Sequence, residues 1–290
     1  MKILKILFMT LVQAVTEFMP VSSRGHYILL RELLNYKDPG VLFDLFLHSG
    51  AFIVICMIYH KEVLGTLIEG GTFFYKKIRN LILFFMQKVL KKSVTYDHVE
   101  SNFMQKLAIL LLISFVPFGI VGFLFRQKID IWDQNMLYCG IGMLVTAAFL
   151  LVSDFRKSGK KNLKRMTYQD AFIIGIFQAF AIFPGCSRLG MCLVGAKWVG
   201  IEKKSSIKYA FLLSLPSLFT ATLYKCMIKE DSSFSVALPE AIVGFAGSIV
   251  LSFLAYKMIA VYLSDKKYKY FALYSAVVGG LSVVCHFVFV

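Results

Sequence analysis

Apolar runs long enough to cross ~30 Å of hydrocarbon recur along the chain, and two of them are broken by the same polar motif. The first copy is Gln13-Ala14 followed by Pro20-Val21-Ser22-Ser23-Arg24. The second is Gln178-Ala179 followed by Pro184-Gly185-Cys186-Ser187-Arg188. In lipid every backbone N–H and C=O must be paired within the protein, so irregular backbone is tolerated only where protein or a water-filled cavity shields it. Proline ends a helix interior. Each motif is therefore expected at the tip of a re-entrant helix–loop–helix, over residues 3–34 and 171–200. An arginine at bilayer depth is costly and marks a functional site by default. Two in matched positions point to one shared site where two half-chains meet.

Composition fits a membrane protein. Of 290 residues 58% are hydrophobic, 28 are Phe and only 17% are charged, which is unusual for a soluble domain. The net charge of +15 does not indicate nucleic acid. The basic residues gather in loops between apolar runs, as on the cytoplasmic side of a membrane, where they also meet anionic membrane lipids. None of the six cysteines has CxxC or Cys/His spacing, so no zinc motif is present. They read as small apolar packing residues, with Cys186 set apart by lying inside the second motif. Lys2 and Lys5 precede the first apolar run without a small-residue cleavage site, which reads as mature protein and not as a signal peptide.

Six uninterrupted runs read as transmembrane helices, at about 41–59, 103–125, 135–153, 207–228, 240–263 and 270–290. The basic loops 60–100, 154–169 and 264–269 belong in the cytoplasm, by the excess of Lys and Arg found there. Loops 126–134 and 229–239 belong outside. By this count segment 171–200 begins and ends in the cytoplasm, and segment 3–34 begins and ends outside. The expected fold class is an all-α polytopic membrane protein with six transmembrane helices and two re-entrant hairpins in an inverted-topology repeat. It forms one integral membrane domain, 1–290, with halves 1–155 and 165–290. A weaker similarity, Phe43-Asp44-Leu45-Phe46-Leu47 with Tyr209-Ala210-Phe211-Leu212-Leu213, supports the repeat. Within 60–100, segment 70–92 mixes apolar and basic residues and reads as an amphipathic helix on the cytoplasmic surface.

Around the first motif, Gln13 and Glu17 are spaced i, i+4 and share a helix face. That face can hold a divalent cation or orient a water, and a buried glutamate can act as a base. Ser22 and Ser23 are candidate nucleophiles or phosphate ligands, and Ser22 equally suits a helix cap. Arg24 adds a cation, and Gly25 allows a tight turn. His26 can shuttle a proton near neutral pH or attack phosphorus itself. In the second motif Gly185, Ser187 and Arg188 precede an apolar helix whose free N–H groups favour an anion. That loop contains no acid or histidine, so it would be the main phosphate clamp, with Arg supplying a planar fork of donors. His48 and Asp44 are equally compatible with packing and with a supporting place in the site. The residues together point to an anionic, phosphorylated substrate.

These motifs resemble the undecaprenyl-diphosphate phosphatases, the bacitracin-resistance phosphatases of bacterial membranes. The family pattern (Glu/Gln)-x-x-x-Glu running into Phe-x-Pro-x-Ser-Ser-Thr-Gly-His is similar to Gln13 through His26, with Arg24 in the Thr position. Its second signature, Pro-Gly-x-Ser-Arg-Ser-Gly-x-Thr, is similar to Pro184 through Cys192, with Gly175-x-x-Gln178 upstream. Phe43-Asp44 to His48-x-Gly50 and Phe211-Leu-Leu-Ser-x-Pro216 also look like family sequence. The resemblance implies removal of the terminal phosphate of undecaprenyl diphosphate at the outer face of the bacterial plasma membrane, regenerating the carrier for peptidoglycan synthesis. It implies functional roles for Glu17, Ser23, His26 and Arg188 and help from a divalent cation (Mg or Ca); the residues themselves add phosphate binding by Ser22, Arg24, Gly185, Ser187 and Arg188 and place the cation at Gln13 and Glu17. The expected partners are the polyprenyl diphosphate, membrane lipids and a second copy of the chain in a homodimer.

Three positions depart from the pattern. Arg24 adds a second cation, while Leu189 and Cys192 replace hydroxyl residues. The nucleophile stays open between Ser23, His26 and water. A flippase or transporter of a polyprenyl phosphate or small anion, or a catalytically silent paralogue, would share the repeat and the arginines.

Overall fold

The computed structural model describes residues 2–34, 41–90, 95–97, 102–132, 135–157, 159–228, 238–265 and 267–289. The charged residues expected in the outer loop at 229–231, together with Lys91, Lys92, Asp133, Lys266 and the side chain of Asp44, lie outside the described part. Eleven α-helices make up most of the described chain. They are α1 Lys2–Glu17, α2 Ser23–Leu33, α3 Val41–Ile58, α4 His60–Leu90, α5 Phe103–Trp132, α6 Met136–Asp154, α7 Tyr168–Ala179, α8 Arg188–Trp198, α9 Lys203–Ile228, α10 Leu238–Asp265 and α11 Tyr268–Phe289. Single 3-10 turns occupy Leu163–Arg165 and Phe180–Ile182.

Helices α5, α6, α9, α10 and α11 are each long and apolar enough to cross a membrane, and α3 with α4 would make a sixth as one pair bent by 85°. The molecule is an all-helical polytopic membrane protein. The run expected at 41–59 thus does not qualify alone, because its described apolar part, Leu45–Ile58, is short and continues past a break into α4. The amphipathic helix expected at 70–92 begins earlier, at His60. Residues 60–69 contain no proline and only one glycine, so nothing in them stops the helix. Pro117 and Pro216 likewise lie inside α5 and α9 without ending them, as neighbouring helices in membranes allow.

Small residues let the helices approach closely, the usual device where lipid removes the hydrophobic drive between helices. In the extensive α6–α11 contact a Cβ added at Gly140 would lie 2.9 Å from the Gly279 carbonyl oxygen. Helix α1 packs on α10, which also packs on α3, and α5 packs on α7. Ser114 of α5 donates to the Ala171 carbonyl of α7 at 2.6 Å, and Tyr209 of α9 donates to the Leu110 carbonyl at 2.8 Å. Phe18, wholly buried just after α1, meets Phe211 and Tyr256 at ring-centroid distances of 5.7 and 5.9 Å. This aromatic anchor holds the first break in place.

Candidate active site

The first N–H groups of a helix have no partner within it, which favours serine as the residue before the first turn. Both motifs use this. Ser22 (φ −79°, ψ 112°) caps α2 by accepting from the Gly25 amide at 3.0 Å. Ser187 (φ −79°, ψ 118°) caps α8 by accepting from the Gly190 amide at 3.0 Å. The caps pair Ser22 with Ser187, Ser23 with Arg188 and Gly25 with Gly190. This corrects the register read from sequence, which paired Ser23-Arg24 with Ser187-Arg188. The second loop has one more residue between its proline and its cap, so Arg24 sits one position further into its helix than Arg188.

The extra length is accommodated at Gly185, whose φ of +82° lies in the left-handed region that L side chains avoid. A Cβ there would also lie 1.9 Å from the Cys139 carbonyl oxygen of α6. Helix α6 grips this loop along one turn and more. A Cβ at Gly142 would meet the Pro184 carbonyl at 2.0 Å, the Cys186 thiol donates to the Gly142 carbonyl at 3.4 Å, and the Ser187 amide donates to Thr146 Oγ1 at 3.0 Å. Cys186 is thus a buried packing and bonding residue. Gly200 offers an internal control, with φ +80° but open space around its Cβ position. Gly200→Ala should cost only the backbone strain of about 1–2 kcal/mol. Gly185→Ala adds a collision with backbone and should cost more than about 4 kcal/mol. Thermal unfolding of the two variants in the same detergent measures the difference; equal melting temperatures would mean that α6 does not clamp the loop.

A cavity of about 470 Å³ lies between the loops and is completed by α3, α5 and α9. Its polar wall contains Glu17, Ser22, Ser23, Arg24, Gly185, Ser187 and Arg188, while Phe115, Phe118, Ile182 and Leu218 form an apolar wall. Glu17, the last residue of α1, is the hub. Its Oε1 accepts from Arg188 Nη2 at 2.8 Å, with side-chain exposures of only 9% and 18%. Its Oε2 accepts from Gln13 Nε2 at 3.1 Å and lies 4.0 Å from His48 Nδ1. Ser23, the first residue of α2, lines the same cavity wall as this carboxylate. One ion pair therefore joins the two motifs across 171 residues of sequence.

Gln13 is buried and reaches the site only through Glu17, while His26 lies outside the cavity wall. The His26 ring packs inward on Tyr274 with centroids 5.4 Å apart, its Nε2 pairs with the Tyr274 hydroxyl at 2.8 Å, and its Nδ1 pairs with the Ser22 carbonyl. Arg126 and Tyr224 are on the wall but were not anticipated. Helix α5 runs on to Trp132, past the expected end at 125, and carries Arg126 with it. Tyr224 donates to the Arg126 carbonyl at 2.8 Å, and the guanidinium covers the Phe123 ring at 4.3 Å. Balancing Arg126 against nearby acids assigns it to a loop; the i, i+4, i+7 apolar spacing of Phe125, Ile129 and Trp132 is the signal for more helix.

The family model described as bacitracin resistance protein BacA matches residues 6–281, a stretch that contains both loops and every wall residue of the cavity. The chain belongs to the BacA family. Among BacA relatives, an undecaprenyl-diphosphatase of Methanosphaera stadtmanae is 30% identical over 286 residues, covering 97% of each chain. One of Alkaliphilus metalliredigens is 28% identical over 282 residues with the same coverage. An undecaprenyl-diphosphatase 4 of Bacillus cereus is 30% identical over 275 residues, covering 94% of this chain and 92% of its own. The resemblance carried by the motifs is borne out over nearly the whole chain.

Within the BacA pattern the three departures fall in different places. Arg24 is on the cavity wall, with its guanidinium 5.1 Å from the Tyr27 ring centroid. Leu189 is also on the wall, so a hydroxyl is lost where substrate would lie. Cys192 is not on the wall; it is 2% exposed and belongs to the apolar core.

Proposed function

We propose that this chain removes the terminal phosphate of undecaprenyl diphosphate, giving undecaprenyl phosphate and inorganic phosphate, and so returns the lipid carrier to cell-wall synthesis. The observation that carries this reading is the Glu17 carboxylate, which binds the Arg188 guanidinium and shares one wall of a largely apolar cavity with the Ser23 hydroxyl. A hydroxyl and a carboxylate on one wall suit the parts of nucleophile and base. Arginine beside it is the donor best suited to a diphosphate. The prenyl chain would lie along Phe115 and Phe118, and the diphosphate would face Arg188, Arg24 and Ser187.

In this mechanism Ser23 Oγ attacks the terminal phosphorus and its proton passes to Glu17. The bond from phosphorus to the bridging oxygen breaks, and its electron pair leaves with undecaprenyl phosphate. Water then cleaves the phosphoserine, releasing phosphate and restoring Ser23. Arg188 stabilises the charge that spreads over the transferring group, the main demand of phosphoryl transfer. His26 acts from behind, holding the first loop through the Ser22 carbonyl and Tyr274. A divalent cation, Mg or Ca, would be held by Glu17, and by the Gln13 amide oxygen only after that amide turns over, because its Nε2 donates to Glu17 here. Among the described residues no three His, Cys, Asp or Glu side chains cluster, so diphosphate and water would supply its other ligands, as is usual for Mg. Its chemistry would be to neutralise charge on the phosphates.

For membrane placement, we propose six spans and two re-entrant hairpins in an inverted repeat with halves 1–155 and 165–290. Helices α1, α2, α7 and α8 have 16, 11, 12 and 11 residues, short of the ~20 needed to span, and the matched caps support the repeat. The cavity wall reaches Arg126 and Tyr224 near the ends of α5 and α9, the ends expected outside the plasma membrane. The deciding experiment is phosphate release from undecaprenyl diphosphate by purified protein in detergent, with and without chelator. Release is expected, falling when divalent cations are removed. Binding of the lipid with no release under any divalent cation would sink the phosphatase reading in favour of a carrier.

A further inference from the structure

A second cavity, about 180 Å³, lies where α6 and α8 end and α9 and α11 begin. Helix α9 borders it at Lys203 and Ser206 and borders the active-site cavity from Leu218 onward, a separation of about 18 Å along the helix. Its wall presents four cations, Arg156, Lys197, Lys203 and Lys267, against one carboxylate, Asp154. That carboxylate is already engaged. Its Oδ1 accepts from Lys197 Nζ at 3.1 Å and from the Tyr268 amide at 3.2 Å, and its Oδ2 accepts from the Lys269 amide at 3.2 Å. Asp154 therefore serves to cap α11 and to pair with Lys197, and the pocket is left strongly positive. The positive ends of α9 and α11 meet the negative ends of α6 and α8 here, so the helix dipoles offset one another and the side chains decide the sign.

The cations are held in place by the fold. Arg156 lies over the Trp198 ring at 3.8 Å and donates to the Trp198 carbonyl at 3.1 Å. Lys197 and Lys203 lie over the Tyr268 ring at 5.0 and 5.6 Å, and Tyr268 itself is 3% exposed. A fixed guanidinium beside flexible ammonium groups suits a phosphate oxygen set. Basic pockets between membrane helices attract anionic headgroups for the same reason.

We infer that this pocket binds a phosphate group, carried by an anionic lipid or free in solution, at a site separate from the active-site cavity. The test uses full-length protein in nanodiscs containing phosphatidylglycerol, with retained lipid counted by native mass spectrometry and inorganic phosphate as competitor. Lys203→Gln/Lys267→Gln should lower retention by about tenfold or more, with an unchanged melting temperature. Arg156→Gln should do the same independently. Lys160→Gln/Lys164→Gln, which changes the same net charge outside the pocket, should leave retention unchanged. Lipid retention that inorganic phosphate does not displace identifies a headgroup site. Displacement, or loss of direct phosphate binding in the pocket variants, identifies a free-phosphate site. The inference is overturned if the pocket pair binds both probes like the parent, or if the control pair loses as much.

Discussion

Arg188→Ala is expected to lower kcat on undecaprenyl diphosphate by about 10³-fold, the loss typical of deleting one strong transition-state donor. It should also destabilise the fold by about 3–5 kcal/mol, because it strands the Glu17 carboxylate in a buried site without its cation. These two effects separate in the double variant. Glu17→Gln/Arg188→Ala removes both charges, so most of the lost stability should return while activity stays absent. Thermal unfolding and phosphate release measured on the two single variants and the double complete the cycle. If Arg188→Ala keeps activity within tenfold of the parent, the clamp lies elsewhere. If the double variant is no more stable than Arg188→Ala, the ion pair does not form in the membrane.

Ser23→Ala should be the other large loss, about 10³-fold or more, because in the proposed mechanism its hydroxyl is the nucleophile. His26→Ala should cost much less, about 10–100-fold, by removing two buried hydrogen bonds that brace the loop. Tyr274→Phe, which removes one of those bonds, should fall between His26→Ala and the parent. Brief reaction with terminally labelled substrate followed by acid quench should leave label on Ser23. Complete loss in His26→Ala with activity kept in Ser23→Ala would remove serine as the obligatory nucleophile and return that part to the histidine or to water.

Local chemistry was legible before the fold was known. Ser22 and Ser187 each stand before an apolar helical run, and both cap one. Glu17, Ser23, Arg24 and Arg188 were singled out by type and setting, and the structure gathers them on one wall. What escaped depends on contacts distant in sequence. The register slip between the motifs arises at Gly185, and its cause is the α6 backbone at Cys139, 46 residues earlier. His26 was read from its position beside a serine and an arginine, but its ring is turned by Tyr274, 248 residues away. Arg126 was lost to charge counting, which reports on loops and not on how far a helix continues through them.

The Glu17–Arg188 bond spans most of the gene's reading time. In the proposed mechanism, a chain that ends before α8 has Ser23 and Glu17 but lacks Arg188. Such a fragment would lack the clamp that the proposed mechanism gives the diphosphate. Even with α8 delivered, the cavity still lacks its α9 wall at Leu218 and Tyr224 and the Tyr274 partner of His26, so the site closes only late in synthesis.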